Sequence, residues 1–161
     1  MSPTQAIAKA ADDLRCYEFF VPGPPVAKQR ARTVTRSAHG PLPFARTYTP
    51  AKTENYQAFV RGCALVGIRA PIDGPITVWL EVRLAVPGSW SEKRKRRAHG
   101  GLIAATKRPD LDNVAKSILD AVNGLAWRDD AQIVGLHVTK EYAALPGVLV
   151  RIFESGAERA P

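Results

Sequence analysis

Cysteine is almost missing from this 161-residue chain: Cys16 and Cys63 are the only two, and both sit among apolar neighbours. Two such residues make neither a disulfide framework nor a zinc site, and they read as reduced core thiols of a cytoplasmic protein. Histidine is scarce as well, and His39, His99 and His137 stand at no metal-ligand spacing. No apolar run approaches the roughly 20 residues that span a bilayer. The N-terminus lacks the basic-then-apolar layout of a signal peptide, so the expected setting is cytoplasmic with no membrane partner. A Gly-rich phosphate loop, a Gly-x-Ser-x-Gly elbow and a supported cysteine–histidine pair are also wanting, which removes the commonest nucleotide-binding and covalent chemistries.

Acid is the most informative shortage. Fifteen aspartates and glutamates face 23 lysines and arginines, for a net charge of +8 and a pI near 9.9. Between Glu18 and Glu54 there is no acidic residue at all. Such a balance favours a polyanionic partner, most often nucleic acid.

What is present suits an ordinary globular domain: 45% hydrophobic and 24% charged residues, in a chain long enough for one sizeable core. Thirteen prolines imply long irregular loops. Residues 1–14 read as an N-terminal extension, 15–154 as the domain and 155–161 as a disordered tail. Tyr17, Phe19 and Val21 alternate with Cys16, Glu18 and Phe20, which predicts a strand ending at Pro22-Gly23-Pro24-Pro25. Val34 and the Phe44 to Tyr48 region could pair as a short hairpin. Thr49-Pro50 predicts a helix start with threonine as cap. Tyr56, Phe59, Val60, Cys63 and Ala64 give that helix a buried face, ending near Gly67. Ile76 to Val86 alternates strictly and is the clearest strand. A short basic helix follows, capped by Ser89 or Ser91, and Leu102 to Thr106 suggests another strand. Two last strands, Val134 to Tyr142 and Val148 to Ile152, are expected to form an antiparallel hairpin across Pro146-Gly147. The expected architecture is one α+β domain, a mixed β-sheet packed against two main helices.

Two basic stretches stand out. Lys28, Arg30, Arg32 and Arg36 recur at near-alternate spacing and suggest a phosphate-contacting arm. Lys93, Arg94, Lys95, Arg96 and Arg97 repel one another, so they must face solvent or a polyanion. With Lys107 they are the candidate DNA contacts.

Between them and the final strands lies KRPDLDNVAKSILDAVNGLAWRDD, residues 107–130. Pro109 holds Arg108 extended, so Asp110 sits at the junction of extended chain and helix. Leu111, Val114, Ile118, Leu119, Val122 and Leu125 form an apolar stripe, with Asn113, Lys116, Ser117 and Asp120 opposite. Asp112 lies in the first turn and Lys116 one turn later on the same face. Gly124 can close the helix, and Trp127 can anchor a return that brings Asp129 and Asp130 back. Oxygen ligands of this kind suit a hard divalent cation, which would let carboxylates work beside a polyanion and activate water for phosphodiester hydrolysis. A plain helix cap at Asp112 and an ordinary turn at Asp129-Asp130 would explain each residue singly.

RPDLDNVAKSILDAVNGLAWRDDAQIV, together with PGPPVAKQRAR and YTPAKTENYQ, resembles the RusA-type Holliday junction resolvases, small endonucleases common in phages and prophages. The resemblance runs from about Tyr17 to Tyr142. It implies that Asp110, Asp112 and Asp130 bind metal, that Lys116 is catalytic, and that Asp129 is an acidic neighbour able to share the metal. It also implies a homodimer that cuts four-way DNA junctions by symmetric nicks with Mg2+ or Mn2+. Two other readings stay open: a non-catalytic protein that binds branched DNA, and a nuclease for flaps or forks.

Overall fold

The computed structural model describes residues 16–36 and 44–155. The expected N-terminal extension lies outside them, as does all of the expected tail except Ser155. That residue is held, its backbone N–H donating to the Pro75 carbonyl at 2.7 Å and its hydroxyl 2.9 Å from that of Thr77.

The chain runs β1 (Cys16–Pro22), β2 (Arg32–Arg36), β3 (Phe44–Tyr48), α1 (Ala51–Leu65), β4 (Ile76–Ala85), α2 (Glu92–His99), α3 (Leu111–Val122), a 3-10 turn at Asp130–Gln132, β5 (Ile133–Ala143) and β6 (Gly147–Glu154). Four strands form one sheet in the order β1-β6-β4-β5, while β2 and β3 make a separate antiparallel ribbon. This is the expected α+β domain with a mixed sheet.

Strand β4 is the spine. Ile76, Val78, Leu80, Val82 and Leu84 all point to one face and are buried, as the strict alternation requires. Phe19 and Val21 of β1, and Val148, Val150 and Ile152 of β6, extend the same apolar layer. Helix α3 lays Val114, Ile118 and Val122 against it, and α1 packs on α3 and β1. Each such aliphatic side chain, fully buried, contributes about 1.5–3 kcal/mol.

The structure departs from the sequence reading in several places. The last two strands are not a hairpin: β4 lies between them, parallel to β5 and antiparallel to β6. The connection at 144–146 passes over the end of β4, a gap of two strand spacings, roughly 10 Å, within reach of three extended residues. Local spacing cannot distinguish that crossing from a tight turn. Gly147 is compulsory there, because an added Cβ would stand 2.3 Å from the Phe20 ring and 2.5 Å from the Val21 carbonyl. Residues 102–106 are loop, not strand, with Leu102 exposed and only Ala105 buried. Pro50, not Thr49, occupies the cap position of α1, and no side chain caps it. In α1 the buried stripe is Thr53, Tyr56, Val60 and Ala64, which leaves Phe59 at its edge and half exposed. In α3, Ser117 is buried with Ala115 and Ala121. These small residues let the helix sit close to its neighbours.

On the face of the sheet away from the helices runs a charged row across all four strands. Arg151 donates to Glu18 at 2.6 Å and to Glu81 at 2.7 Å, Arg83 donates to Glu81 at 2.9 Å, and Arg83 lies 3.8 Å from Glu141. Beside it Trp79 stacks on His137, ring centroids 4.2 Å apart. Among the described residues, no helix is long and apolar enough to cross a membrane.

The Arg83 hydrogen bond, aided by Arg151 and opposed by partial burial, holds the Glu81 carboxyl below the usual carboxylate range. A depressed folded-state pKa contributes stability above the unfolded value, about 4.3, and loses it as pH falls through the folded value. Glu81→Gln should therefore unfold at lower urea than wild type at pH 7, with the gap closing on acidification. A gap that is constant from pH 7 to pH 3 would contradict the ladder's electrostatic role.

Candidate active site

Helix α3 and strand β5 enclose an open cleft of about 700 Å³. Its walls are apolar: Leu111, Ala115 and Leu119 from α3, Leu136 and Val138 from β5. Along them runs a polar ridge, Asp112, Lys116 and Asp120, brought to one side of the helix by their four-residue spacing. Asp130 faces the same space from the turn before β5. Three of the residues singled out in the sequence, Asp112, Lys116 and Asp130, are thus brought together, with Asp120 as an unanticipated fourth.

The start of α3 is fixed from below. Lys140 of β5 donates to the carbonyls of Lys107 at 2.9 Å and Pro109 at 3.1 Å, across the cis Arg108–Pro109 bond. Asp110 takes the N-cap position, its carbonyl accepting from the Val114 N–H at 3.1 Å, but its carboxylate caps nothing. That carboxylate is exposed at the helix N-terminus, where a negative charge is favoured, and is not part of the cleft wall.

The end of α3 sets the place of Asp130. Gly124, at φ 75°, takes the left-handed conformation that turns the chain back, and its N–H donates to the Trp127 carbonyl at 2.8 Å. Arg61 of α1 donates to the Ala121 carbonyl at 3.2 Å, placing a cation at the negative end of the helix. The return segment is then tied to the 72–74 loop: Ile72 N–H to Ala126, the Gln132 amide to the Ile72 and Gly74 carbonyls, and an Arg128–Asp73 ion pair. Trp127 is fully buried, and its indole N–H donates to Asp130 Oδ1 at 2.9 Å. One oxygen of Asp130 is thereby aimed by a rigid donor.

Asp129 is engaged differently. Its carboxylate accepts from the Ala131 N–H at 2.7 Å, and Gln132 returns a bond to the Asp129 N–H at 2.9 Å, a capping box for the 3-10 turn. It is not part of the cleft wall. The adjacent aspartates have separate employments, one structural and one facing the cleft.

With this geometry in place, the comparison with known proteins is direct. The pattern of the endodeoxyribonuclease RusA family matches residues 22–153. This chain belongs to that family. It is also similar to a protein of Bacillus subtilis (strain 168) described as uncharacterized protein YqaN, at 36% identity over 148 residues, which cover 88% of this chain and 99% of that protein. Membership in the RusA family implies endodeoxyribonuclease activity.

The expected DNA contacts fall into three groups. On α2, capped by the Ser91 hydroxyl, Lys95 pairs with Glu92 at 2.8 Å and Arg94 lies 3.9 Å over the Trp90 ring. Lys107 approaches the same ring, 5.7 Å from its centre, and Trp90 meets Tyr142 of β5 edge-on. Trp90 therefore links Arg94 of the basic helix and Lys107 of the following loop to Tyr142 of the sheet, a role the sequence did not reveal. Lys93, Arg96 and Arg97 are exposed and make no ion pair among the described residues. In the arm, Arg30 is exposed and lines a groove of about 260 Å³ with Lys28, Gln29, Ala31, Asn113 and Lys116. The ammonium of Lys28 is instead committed to Asp120. Arg32 and Arg36 stand in β2, and their side chains lie outside the described residues.

Two substitutions separate the employments of this segment. Trp127→Phe keeps a buried ring but removes the donor that aims Asp130, and should slow DNA cleavage about 10–100-fold with the protein still folded, as for other groups that orient a functional carboxylate. Asp129→Ala should cost roughly 0.5–2 kcal/mol of stability in urea titration while cleavage persists. Loss of cleavage in a folded Asp129→Ala protein would reverse the assignment.

Proposed function

We propose that this protein is a divalent-cation-dependent endonuclease that resolves four-way DNA junctions by paired, symmetric nicks. The observation that carries the reading is the sharing of one cleft by Asp112, Lys116 and Asp130 in a protein of net charge +8.

The donor set agrees with a magnesium-like ion. Among the described residues, no three side chains of histidine, cysteine, aspartate or glutamate converge as a closed cage. A hard ion working on phosphates needs no cage, because one or two carboxylates suffice and water and phosphate oxygens complete the shell. Asp112 and Asp130 are the residues that would hold it, with Asp110 at the rim of the helix N-terminus; manganese has the same ligand preference. When bound, the ion would supply an activated water and neutralise charge on the phosphate and the leaving oxygen.

The chain's own residues do the rest. Lys116 holds a non-bridging phosphate oxygen as a point charge, one helical turn from Asp112. The Trp127 N–H keeps one Asp130 oxygen occupied, which leaves the other directed at the cleft. Leu111, Leu119, Leu136 and Val138 form low-dielectric walls, in which these charges act more strongly than in open water. Lys93, Arg96 and Arg97 on α2 and Arg30 in the arm grip the DNA backbone, contacts that position the strand without reading its sequence. Two nicks placed symmetrically call for two such sites, and a two-fold homodimer supplies them.

The test is a synthetic four-way junction, with and without Mg2+. Wild type should release paired, symmetric products only with metal. Asp112→Asn and Asp130→Asn should each reduce cleavage at least 100-fold with junction binding retained, the range expected on loss of a metal-binding carboxylate. Binding without cleavage at any metal concentration would sink the catalytic reading, and faster cutting of flaps or forks would move the substrate. Replacing Lys93, Arg96 and Arg97 together by alanine should weaken junction binding and flatten the log affinity against log salt slope by about 3.

A further inference from the structure

Asp120 and Lys28 are charged residues at this site that the proposed chemistry leaves without a task. Asp120 lies on the cleft wall one turn beyond Lys116, and Lys28 sits 92 positions earlier, just past the proline-rich break after β1. Their side chains form an ion pair, that of Asp120 only 28% exposed and that of Lys28 32%. The amide of Gln57 on α1 also approaches Asp120, at 3.4 Å. Either side of the pair the main chain is held too: the Lys28 N–H donates to the Asn113 carbonyl of α3 at 2.9 Å, and the Gln29 N–H donates to the buried Thr53 hydroxyl of α1 at 3.2 Å. Immediately after this clasp the chain passes Arg30 and rises into the β2–β3 ribbon. The groove formed by Lys28, Gln29, Arg30 and Asn113 shares Lys116 with the cleft of Asp112 and Asp130.

We propose that Asp120 and Lys28 are a matched pair of positioning residues, not a metal ligand and a phosphate contact. Their task is to clasp the root of the basic arm to α3. Arg30 and Lys116 then stand along one continuous track, and a DNA strand held by the arm enters the cleft in register with Asp112. The inference rests on the endonuclease reading of that cleft, but it makes its own claim: carboxylate and ammonium cancel each other, so neither charge is offered to DNA or to a cation. A partly buried pair of this kind repays its desolvation only while both partners remain, so breaking it from either side should have the same consequence.

The experiment measures junction binding without metal and cleavage at saturating junction with Mg2+, together with amide exchange over residues 28–36. Asp120→Asn and Lys28→Met should each weaken binding by about tenfold, as expected when a gripping element loses its register, and raise exchange in the arm. Cleavage at saturating junction should fall by no more than binding does, because Asp112, Lys116 and Asp130 keep their places. The reversed pair, Lys28→Asp with Asp120→Lys, should recover most of the binding, because the clasp depends on opposite charge and not on which side carries it. Arg30→Ala should weaken binding in wild type but add little in Asp120→Asn, since the arm is already misplaced. If Asp120→Asn abolishes cleavage with binding intact, Asp120 is a metal ligand and the proposal fails. If Asp120→Asn tightens binding, Lys28 is a phosphate contact set loose, and it fails again. Unchanged binding and exchange would also overturn it. Should Asp120→Asn not fold, Lys28→Met gives the same readouts. A wild-type protein that cuts no junction would defeat the endonuclease reading, while binding and exchange would still decide the clasp.

Discussion

Parallel pairing between β4 and β5 is the constraint on which the rest of this molecule depends. Two parallel neighbours cannot be joined by a tight turn; the chain must leave one end of the sheet and return to the other. The crossover here occupies residues 86–132 and contains α2, the loop before α3, α3 itself and the 3-10 turn. Most of the candidate site travels in that excursion: the basic helix, Asp110, Asp112, Lys116 and Asp130, with Asp120 beside them. Because both ends are fixed to a buried sheet, the excursion has to fold back on the sheet edge, and its helix closes a cleft against β5.

The second organising fact is electrostatic. A basic surface invites a polyanion, yet the cleft presents aspartates to it. The protein deals with its acids by giving most of them local partners. Glu18, Glu81 and Glu141 are absorbed by Arg83 and Arg151 on the far face of the sheet, Asp120 by Lys28, and Asp129 by the backbone of its own turn. Asp112 has no such partner among the described residues, and Asp130 has only the neutral indole of Trp127. With Asp110, whose carboxylate caps nothing at the helix N-terminus, these are the acids of the segment that the fold leaves without a cationic partner, and of the three Asp112 and Asp130 face the cleft.

Trp90 and Trp127 have comparable structural tasks at the two ends of the site. The first holds Arg94 of the basic helix and Lys107 of the loop before α3, and the second holds Asp130. Each uses the one property of indole suited to its place, the ring face for cations and the N–H for a carboxylate.

The sequence by itself determined most of the elements and marked the candidate acidic and basic residues. Strict alternation marked β4, helical spacing put Asp112 and Lys116 on one side of α3, and Gly124 announced the turn that follows. A short hairpin between Val34 and Phe44 to Tyr48 was a pairing the sequence allowed, and β2 and β3 form it. These are short-range matters, settled by backbone sterics and by the 2.0 and 3.6 residue periods. What only the tertiary structure decided was every relation across distance. β4 separates β5 from β6, although those two strands are joined by three residues, because the most apolar strand gains most by lying in the middle. Phe59 proved exposed and Ser117 buried because the breadth of a helix's contact depends on its neighbour, not on its own stripe. Lys28, read as a DNA contact from its basic surroundings, meets Asp120, a residue 92 positions away. Local pattern carries the sign of a charge, but its partner is chosen by the fold.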